Sequence, residues 1–227
     1  MKLSRQVPYA IDDAGTGKFD AALLHACCAV DATAKRLYPN STRVGIRYVN
    51  CLRRYYWLLE PMMGAGLNLA ETRFTNVRVR STASPDFADV IYEIFRCGHA
   101  HGDEIPSAFS VLPSMGGFYS EWQFGHGELH MPDRVIWALL SVVVLAEVNR
   151  NETTTGTYYL SLGNERFPVR EWWGRENDFR SVASRYNKVR VKLDGLEHLA
   201  MQQTAAPAGV ETLLILNPPF VPGAAAS

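Results

Sequence analysis

Apolar residues recur at intervals of three and four through the first quarter of the chain, which is the period of an amphipathic helix. The pattern predicts one helix over residues 18–38, with Asp31 near its apolar stripe, and a Pro-Asn step ends it. It predicts a second helix over about residues 42–59, ended by Pro61 and the glycines that follow. The early part of the chain is therefore expected to be helical.

A third helix is predicted where Ser84, Pro85 and Asp86 supply an N-cap, a proline at the first helical position and an early acid. Apolar residues then follow at helical spacing, and Arg96 stands at the far end of the helix. The preceding stretch NVRVR, residues 76–80, is predicted to be a loop or a short edge strand.

Beyond residue 101 the pattern changes to an alternation of apolar and polar residues, which is typical of strands with one buried face. Two such stretches, SAFSVLPS (107–114) and SEWQFGHGELHM (120–131), are separated by a glycine-containing loop. We expect them to form an antiparallel pair.

The remainder of the chain mixes both periods. The Pro132-Asp133 step opens a helix to about residue 148 that is apolar on nearly every face and is expected to be buried. A hairpin is predicted around Gly163-Asn164, followed by a long helix over residues 176–198 with a break near its end. The stretch ETLLIL, residues 211–216, is predicted to be a last strand.

These elements predict an α+β fold, mainly an α-helical bundle with a small antiparallel β-sheet and hairpins. Residues 1–150 are predicted to form the helical domain with a β insertion. Residues 151–227 are predicted to add a hairpin and a long helix packed on it, with a loose tail from about residue 217.

Composition excludes some classes of protein. With 227 residues, 47% of them hydrophobic, the chain can bury a sizeable core. Its net charge of zero gives no overall field for polyanions, so a nucleic-acid contact would depend on a local basic patch. The apolar run 135–146 is too short to cross a membrane, and the N-terminus has no apolar leader, so we expect a cytoplasmic protein.

The segment "EIFRCGHAHGDEIP", residues 93–106, is rich in ionisable residues. Two of them, Arg96 and His101, are separated by four residues. Arginine and histidine together suit cleavage of an RNA phosphodiester by its adjacent 2′-hydroxyl, because an imidazole exchanges the proton and a guanidinium neutralises the phosphoryl oxygens. This chemistry uses no cofactor. On a regular helix the two side chains would lie about 140° apart, so the helix ends between them or another chain completes the site.

The stretch "VIYEIFRCGHAHG" resembles the signature of the HEPN superfamily of small helical proteins, and two earlier segments, "KFDAALLHACCAVDATAKRLYP" and "RYVNCLRRYYWLL", are similar to its first helices. The resemblance covers about residues 18–150. It implies a helical bundle that dimerises and, in active members, a metal-independent endoribonuclease with Arg96 and His101 as the functional pair. It also implies a role in bacterial defence or stress, such as a toxin–antitoxin system with a cognate protein partner.

Three further arginines of the second predicted helix, together with a nearby histidine, are candidates to bind RNA in a groove shared by two chains of a homodimer: Arg47, Arg53, Arg54 and His99. Cys97 stands where many active members of the superfamily carry Asn, Asp or His. A non-catalytic module that binds RNA or protein is therefore the alternative to an enzyme.

Two other interpretations of the same residues stay open. Arg96 near a helix C-terminus also suits the helix dipole, and His101-Gly102 also suits a simple turn. The second is a zinc site with His99, His101, His126 and His130 as ligands. Against it, the segment that holds His126 and His130 has the pattern of a strand, where a spacing of four does not place two side chains as it would on a helix.

Overall fold

The computed structural model describes residues 2–63, 68–98, 107–114, 119–186 and 211–216. Several predictions fall outside these ranges: the positions of His99 and His101, the helix beyond residue 186 and the tail from residue 217. The α+β fold class is confirmed, because helices precede and follow a small sheet.

The chain begins with a helix that the sequence pattern did not reveal. Helix α1, Leu3–Gly15, contains Pro8 and buries Leu3, Val7 and Ile11 against the rest of the molecule. The predicted helix after it is confirmed as α2, Phe19–Leu37. The two helices pack along each other, and His25 Nδ1 lies 2.7 Å from Gln6 Oε1 between them.

The prediction of a single helix over residues 42–59 is wrong in two respects. It is divided into α3, Val44–Arg54, and α4, Tyr56–Met63, and Pro61 lies inside α4 instead of ending it. The break falls at Tyr55, whose amide donates to the Leu52 carbonyl in a tight turn and whose hydroxyl donates to Glu176. Because α4 is almost wholly buried, its apolar packing compensates for the hydrogen bond that Pro61 cannot make.

The third helix begins two residues later than predicted. Asp86, not Ser84, is its N-cap: the Asp86 carboxylate accepts from the Asp89 amide at 3.1 Å, and the Asp89 carboxylate accepts from the Asp86 amide at 3.2 Å. This reciprocal capping box opens α5, Phe87–Val90. The helix then widens into a π-helical segment, Ile91–Arg96, while residues 76–80 form turns without a strand.

The sheet begins with three strands, and their pairing corrects the predicted one. The strands are β1, Phe109–Leu112; β2, Tyr119–Gly125; and β3, Glu128–Pro132. The antiparallel hairpin lies within SEWQFGHGELHM, as β2 and β3, and its turn contains Gly127 with φ +73°. Strand β1 instead pairs parallel with β3. Alternation fixes which side chains face the core but not the direction of the neighbouring strand.

The second half of the described chain covers this framework. The buried helix α6, Arg134–Leu145, and the predicted hairpin are both confirmed. The remaining elements in chain order are a 3₁₀ turn, Glu147–Asn149; β4, Tyr159–Leu162; β5, Glu165–Pro168; α7, Val169–Trp172; α8, Glu176–Tyr186; and β6, Glu211–Leu216.

The core lies where α6 contacts α2 and α4, and every α6 residue except Trp137 is buried. The predicted last strand is confirmed, because β6 pairs antiparallel with β2 and gives the sheet the order β1-β3-β2-β6. Among the described residues, no helix is both long and apolar enough to cross a membrane. The predicted division of the chain at residue 150 stays a prediction.

Candidate functional site around Arg96

The π-helical segment places Arg96 at its last position. The amide of the following residue, Cys97, reaches back to the Tyr92 carbonyl, five residues earlier, which is the bond that widens the helix. Short π-helical stretches inside α-helices occur frequently at functional sites. The helix continues through residues 97 and 98, where the described range ends, so the prediction that Arg96 stands at its far end is wrong: Arg96 lies inside the helix.

Asp31 of α2 joins Arg96 to a second arginine. One carboxylate oxygen of Asp31 accepts from Arg96 Nη2 at 2.8 Å, and the other accepts from Arg47 Nη2 of α3 at 3.2 Å. The three side chains are between 14% and 23% exposed, so they are shielded from solvent but still accessible. Two positive charges therefore share one negative charge, and the cluster carries a net charge of +1.

Two tyrosines support the cluster from the side of the core. The Arg96 guanidinium lies 5.8 Å from the centre of the Tyr92 ring, and the Tyr92 ring contacts that of Tyr48 at 5.4 Å between centres. Gly45 makes this close packing possible, because a Cβ at that position would come within 2.8 Å of the Tyr92 ring. The aromatic rings thus limit the directions in which Arg96 can move.

The electrostatic balance keeps Arg96 charged. Partial burial acts to lower the pKa of Arg96, but the hydrogen bond and the charge of Asp31 outweigh it, so the pKa lies above its ordinary value. Burial raises the pKa of the neighbouring Cys28 thiol despite the opposing charge of Arg96, and it raises the pKa of Cys27 to about 12. These two thiols remain protonated at neutral pH, so neither of them supplies a thiolate nucleophile to the cluster.

Arg47 has an additional unused donor. Its Nε is buried and has no hydrogen-bond partner among the described residues. A buried polar atom without a partner is costly, and such atoms frequently mark a place where a ligand or an ordered water binds. An anion that reached the cluster would find this N–H together with the donors of Arg96 that Asp31 does not occupy.

The other predicted RNA-binding arginines make their contacts elsewhere. Arg53 pairs with Asp86 at 2.7 Å and with Asp89 at 2.9 Å, beside an open cavity of about 650 Å³. Arg54 lies over the Tyr55 ring at 5.8 Å. Neither shares a partner with Arg96, so of the arginines predicted on α3 the structure brings only Arg47 to the site.

Two of the predicted metal ligands are described. His126 follows β2 in the turn of the hairpin, whereas His130 lies on β3 with its Nδ1 2.7 Å from Ser110 Oγ. Over the part of the chain that the structure describes, no group of three His, Cys, Asp or Glu side chains is arranged to hold a metal ion. The four-histidine site also needs His99 and His101, which lie outside that part, so it stays a prediction.

The role of Asp31 was not predicted from the sequence, although one signal was present. A carboxylate close to the apolar stripe of a helix requires a cationic partner, because burying an unpaired charge in a protein interior costs roughly several kcal/mol. The sequence could not show which arginines supply that partner.

Comparison with known proteins assigns the chain to a family. Residues 2–198 match the model of the family Rv1289. The chain belongs to this family. The matched range includes Asp31, Arg47 and Arg96.

Two curated proteins are similar over most of their length. They are the uncharacterized protein Rv1289 of Mycobacterium tuberculosis (strain ATCC 25618 / H37Rv) and the uncharacterized protein Mb1320 of Mycobacterium bovis (strain ATCC BAA-935 / AF2122/97). Each is 36% identical over 180 residues, which cover 78% of this chain and 85% of the relative. No solved structure matches the chain significantly.

Proposed function

We propose that this protein is a metal-independent endoribonuclease of the HEPN type, in which Arg96 and His101 are the functional pair. The observation that carries the proposal is the pair of guanidinium groups, Arg96 and Arg47, held side by side by Asp31. Planar guanidinium groups bind phosphate oxygens in two-point contacts. A partly shielded pair with a net positive charge suits a single phosphodiester better than a scattered basic surface does.

In the proposed reaction, the 2′-hydroxyl attacks the adjacent phosphorus and the bond to the 5′-oxygen of the next nucleotide breaks. Arg96 neutralises the charge that develops on the phosphoryl oxygens, and Arg47 adds the donors that Asp31 leaves unused. His101 accepts or donates the proton that moves between the two hydroxyl oxygens. The products are a 2′,3′-cyclic phosphate and a free 5′-hydroxyl.

The proposal includes a symmetric homodimer that acts in the cytoplasm, where RNA is available. Two copies of Arg96, Arg47 and His101 around a two-fold axis would hold one phosphodiester on several oxygens. Such a concentration of arginines would also offset the lack of net charge in the chain as a whole. A bacterial defence or stress role with a cognate protein partner follows from the resemblance to HEPN proteins.

A non-catalytic module that binds RNA or protein is the second candidate. It is favoured by Cys97, which stands directly after Arg96 in place of the polar residue that many active HEPN proteins carry. In that case the arginine cluster would bind phosphates without cleaving the chain.

Cleavage of mixed RNA in EDTA by the purified protein distinguishes the two candidates. We expect wild-type protein to release fragments with a 2′,3′-cyclic phosphate, and His101→Ala and Arg96→Ala to react about 10² to 10⁴ times more slowly. Arg170→Ala is the matched control, because Arg170 is 63% exposed and pairs only with the adjacent Glu171 among the described residues.

The outcomes have separate meanings. Binding without cleavage by the wild type would support the non-catalytic module and contradict the enzyme. Full activity in His101→Ala would remove this residue from the mechanism. Activity recovered by mixing Arg96→Ala with His101→Ala chains would show that two chains share one site, whereas a fully active monomer in light scattering would contradict the dimer.

A further inference from the structure

We infer that Asp31 is the positioning residue of this site: it aligns Arg47 and Arg96 for one phosphate and restrains how tightly RNA binds. The inference rests on the proposed function, which it extends from the functional pair to the residue that sets their geometry. Asp31 itself contacts the two arginines and acts through them.

The geometry of the carboxylate defines this role. Its two oxygens each accept from one Nη2 atom, at 3.2 Å from Arg47 and 2.8 Å from Arg96. Because two oxygens of one carboxylate lie close together, the two guanidinium groups are brought near each other. Each arginine has five N–H donors, so a single contact with Asp31 leaves donors on both for a ligand.

Asp31 is the acceptor that the two guanidinium groups share among the described residues. The three residues come from α2, α3 and the π-helical segment. Packing of Tyr48 on Tyr92 brings the last two segments together, and Asp31 then fixes how the two guanidinium groups are oriented. Without the carboxylate, two like charges at short range in a partly shielded site would repel each other and separate. Ring contact with Tyr92 limits Arg96, but it supplies no restraint on Arg47.

The negative charge of Asp31 also repels the negatively charged phosphodiester of the RNA. A phosphodiester carries one negative charge, and it must approach two arginines that Asp31 already half neutralises. Removing the charge of Asp31 should therefore strengthen RNA binding while it disturbs the alignment that cleavage needs. A residue with a purely structural role would not produce these opposite effects.

Asp31→Asn tests the inference when cleavage and binding are measured separately. Single-turnover cleavage measures alignment, and fluorescence anisotropy with 2′-O-methyl RNA, which lacks the attacking hydroxyl, measures binding. We expect cleavage to slow at least about tenfold, whereas binding at 0.1 M salt tightens about five- to tenfold, as one added positive charge predicts. Asp31→Glu keeps the carboxylate and should recover part of the rate with wild-type affinity.

Asp20→Asn is the matched control, because it removes the same charge from an exposed position of the same helix. It should alter neither measurement by more than about twofold. Wild-type cleavage by Asp31→Asn would overturn the inference, as would a loss of cleavage and binding in parallel with a lower melting temperature.

Failure of the proposed function is distinguishable from failure of this inference. If wild-type protein cleaves no RNA, the endoribonuclease proposal is wrong, and the anisotropy measurement alone decides the role of Asp31. Tighter binding by Asp31→Asn, but not by Asp20→Asn, would then still show that Asp31 restrains the arginine pair. Equal affinity of the three proteins would overturn the inference.

Discussion

Gly174 joins the C-terminal part of the described chain to the buried helix α6, and replacing it with alanine should destabilise the protein strongly. It lies between α7 and α8 with φ +73°, and its amide donates to the Val144 carbonyl at 2.8 Å. An added Cβ would lie 2.4 Å from the Cβ and 2.5 Å from the Cα of Arg150. The backbone of Arg150 cannot move aside as a flexible side chain would.

Two costs add in Gly174→Ala. A non-glycine residue in the left-handed region costs about 1–2 kcal/mol. Forcing extra volume into a packed contact typically costs about 1–3 kcal/mol more. Gly127 offers a matched control, because its φ is also +73° and nothing lies within 4 Å of the position of its Cβ. Gly127→Ala therefore isolates the first cost.

Equilibrium unfolding in urea at neutral pH measures both variants. We expect the free energy of unfolding to fall by about 1–2 kcal/mol in Gly127→Ala and by about 2–5 kcal/mol in Gly174→Ala. The difference between the variants is the steric cost at Arg150. Equal losses would refute the reasoning, because they would show that the backbone around Arg150 yields without cost.

Two further predictions concern buried polar groups. Asn149→Leu should lower the free energy of unfolding by about 2–4 kcal/mol, because Asn149 donates to Thr33 Oγ1 and the Val143 carbonyl and accepts from Arg36. The exposed Asn151→Leu should change it by less than about 0.5 kcal/mol in the same urea titration, and equal effects would contradict this account. Burial raises the pKa of the Cys51 thiol from 9.0 to about 12. The unfolded chain therefore loses this proton at a lower pH than the folded protein does. The contribution of Cys51 to the free energy of unfolding is full below pH 9 and falls as the pH rises toward 12. Between pH 8 and pH 10, the free energy of unfolding should fall by about 1 kcal/mol less in Cys51→Ala than in wild type. Identical pH profiles of the two proteins would refute this prediction.

The sequence pattern predicted those elements whose local signals and tertiary environment agree. Helix α2 and the buried α6 were predicted because their apolar residues keep one period throughout. Helix α1 was missed because Pro8 and the polar residues around it weaken the pattern, whereas packing against α2 stabilises the helix. The parallel pairing of β1 with β3 depends on the path of the chain between them, which periodicity does not record.

In the site, too, the features that depend on local sequence were predicted and those that depend on tertiary packing were not. A capped helix that carries Arg96 followed from local signals, since capping residues and apolar spacing act over a few positions, although the helix continues past Arg96. The partnership of Asp31 with Arg47 and Arg96 connects residues 16 and 65 positions apart. Only the packing of three segments determines it, so no local pattern identified Asp31 or separated Arg47 from Arg53 and Arg54.

Strand β6 pairs with the outer edge of β2, and this pairing affects how the protein could associate with other copies of itself. In the order β1-β3-β2-β6, the last strand covers the edge of β2, and its residues 211–216 come from far along the chain. A polypeptide that stops before residue 211 would leave the amides and carbonyls of β2 unpaired along that edge. An uncovered edge is a template for strands of other molecules, so a chain truncated before residue 211 is expected to associate through β2.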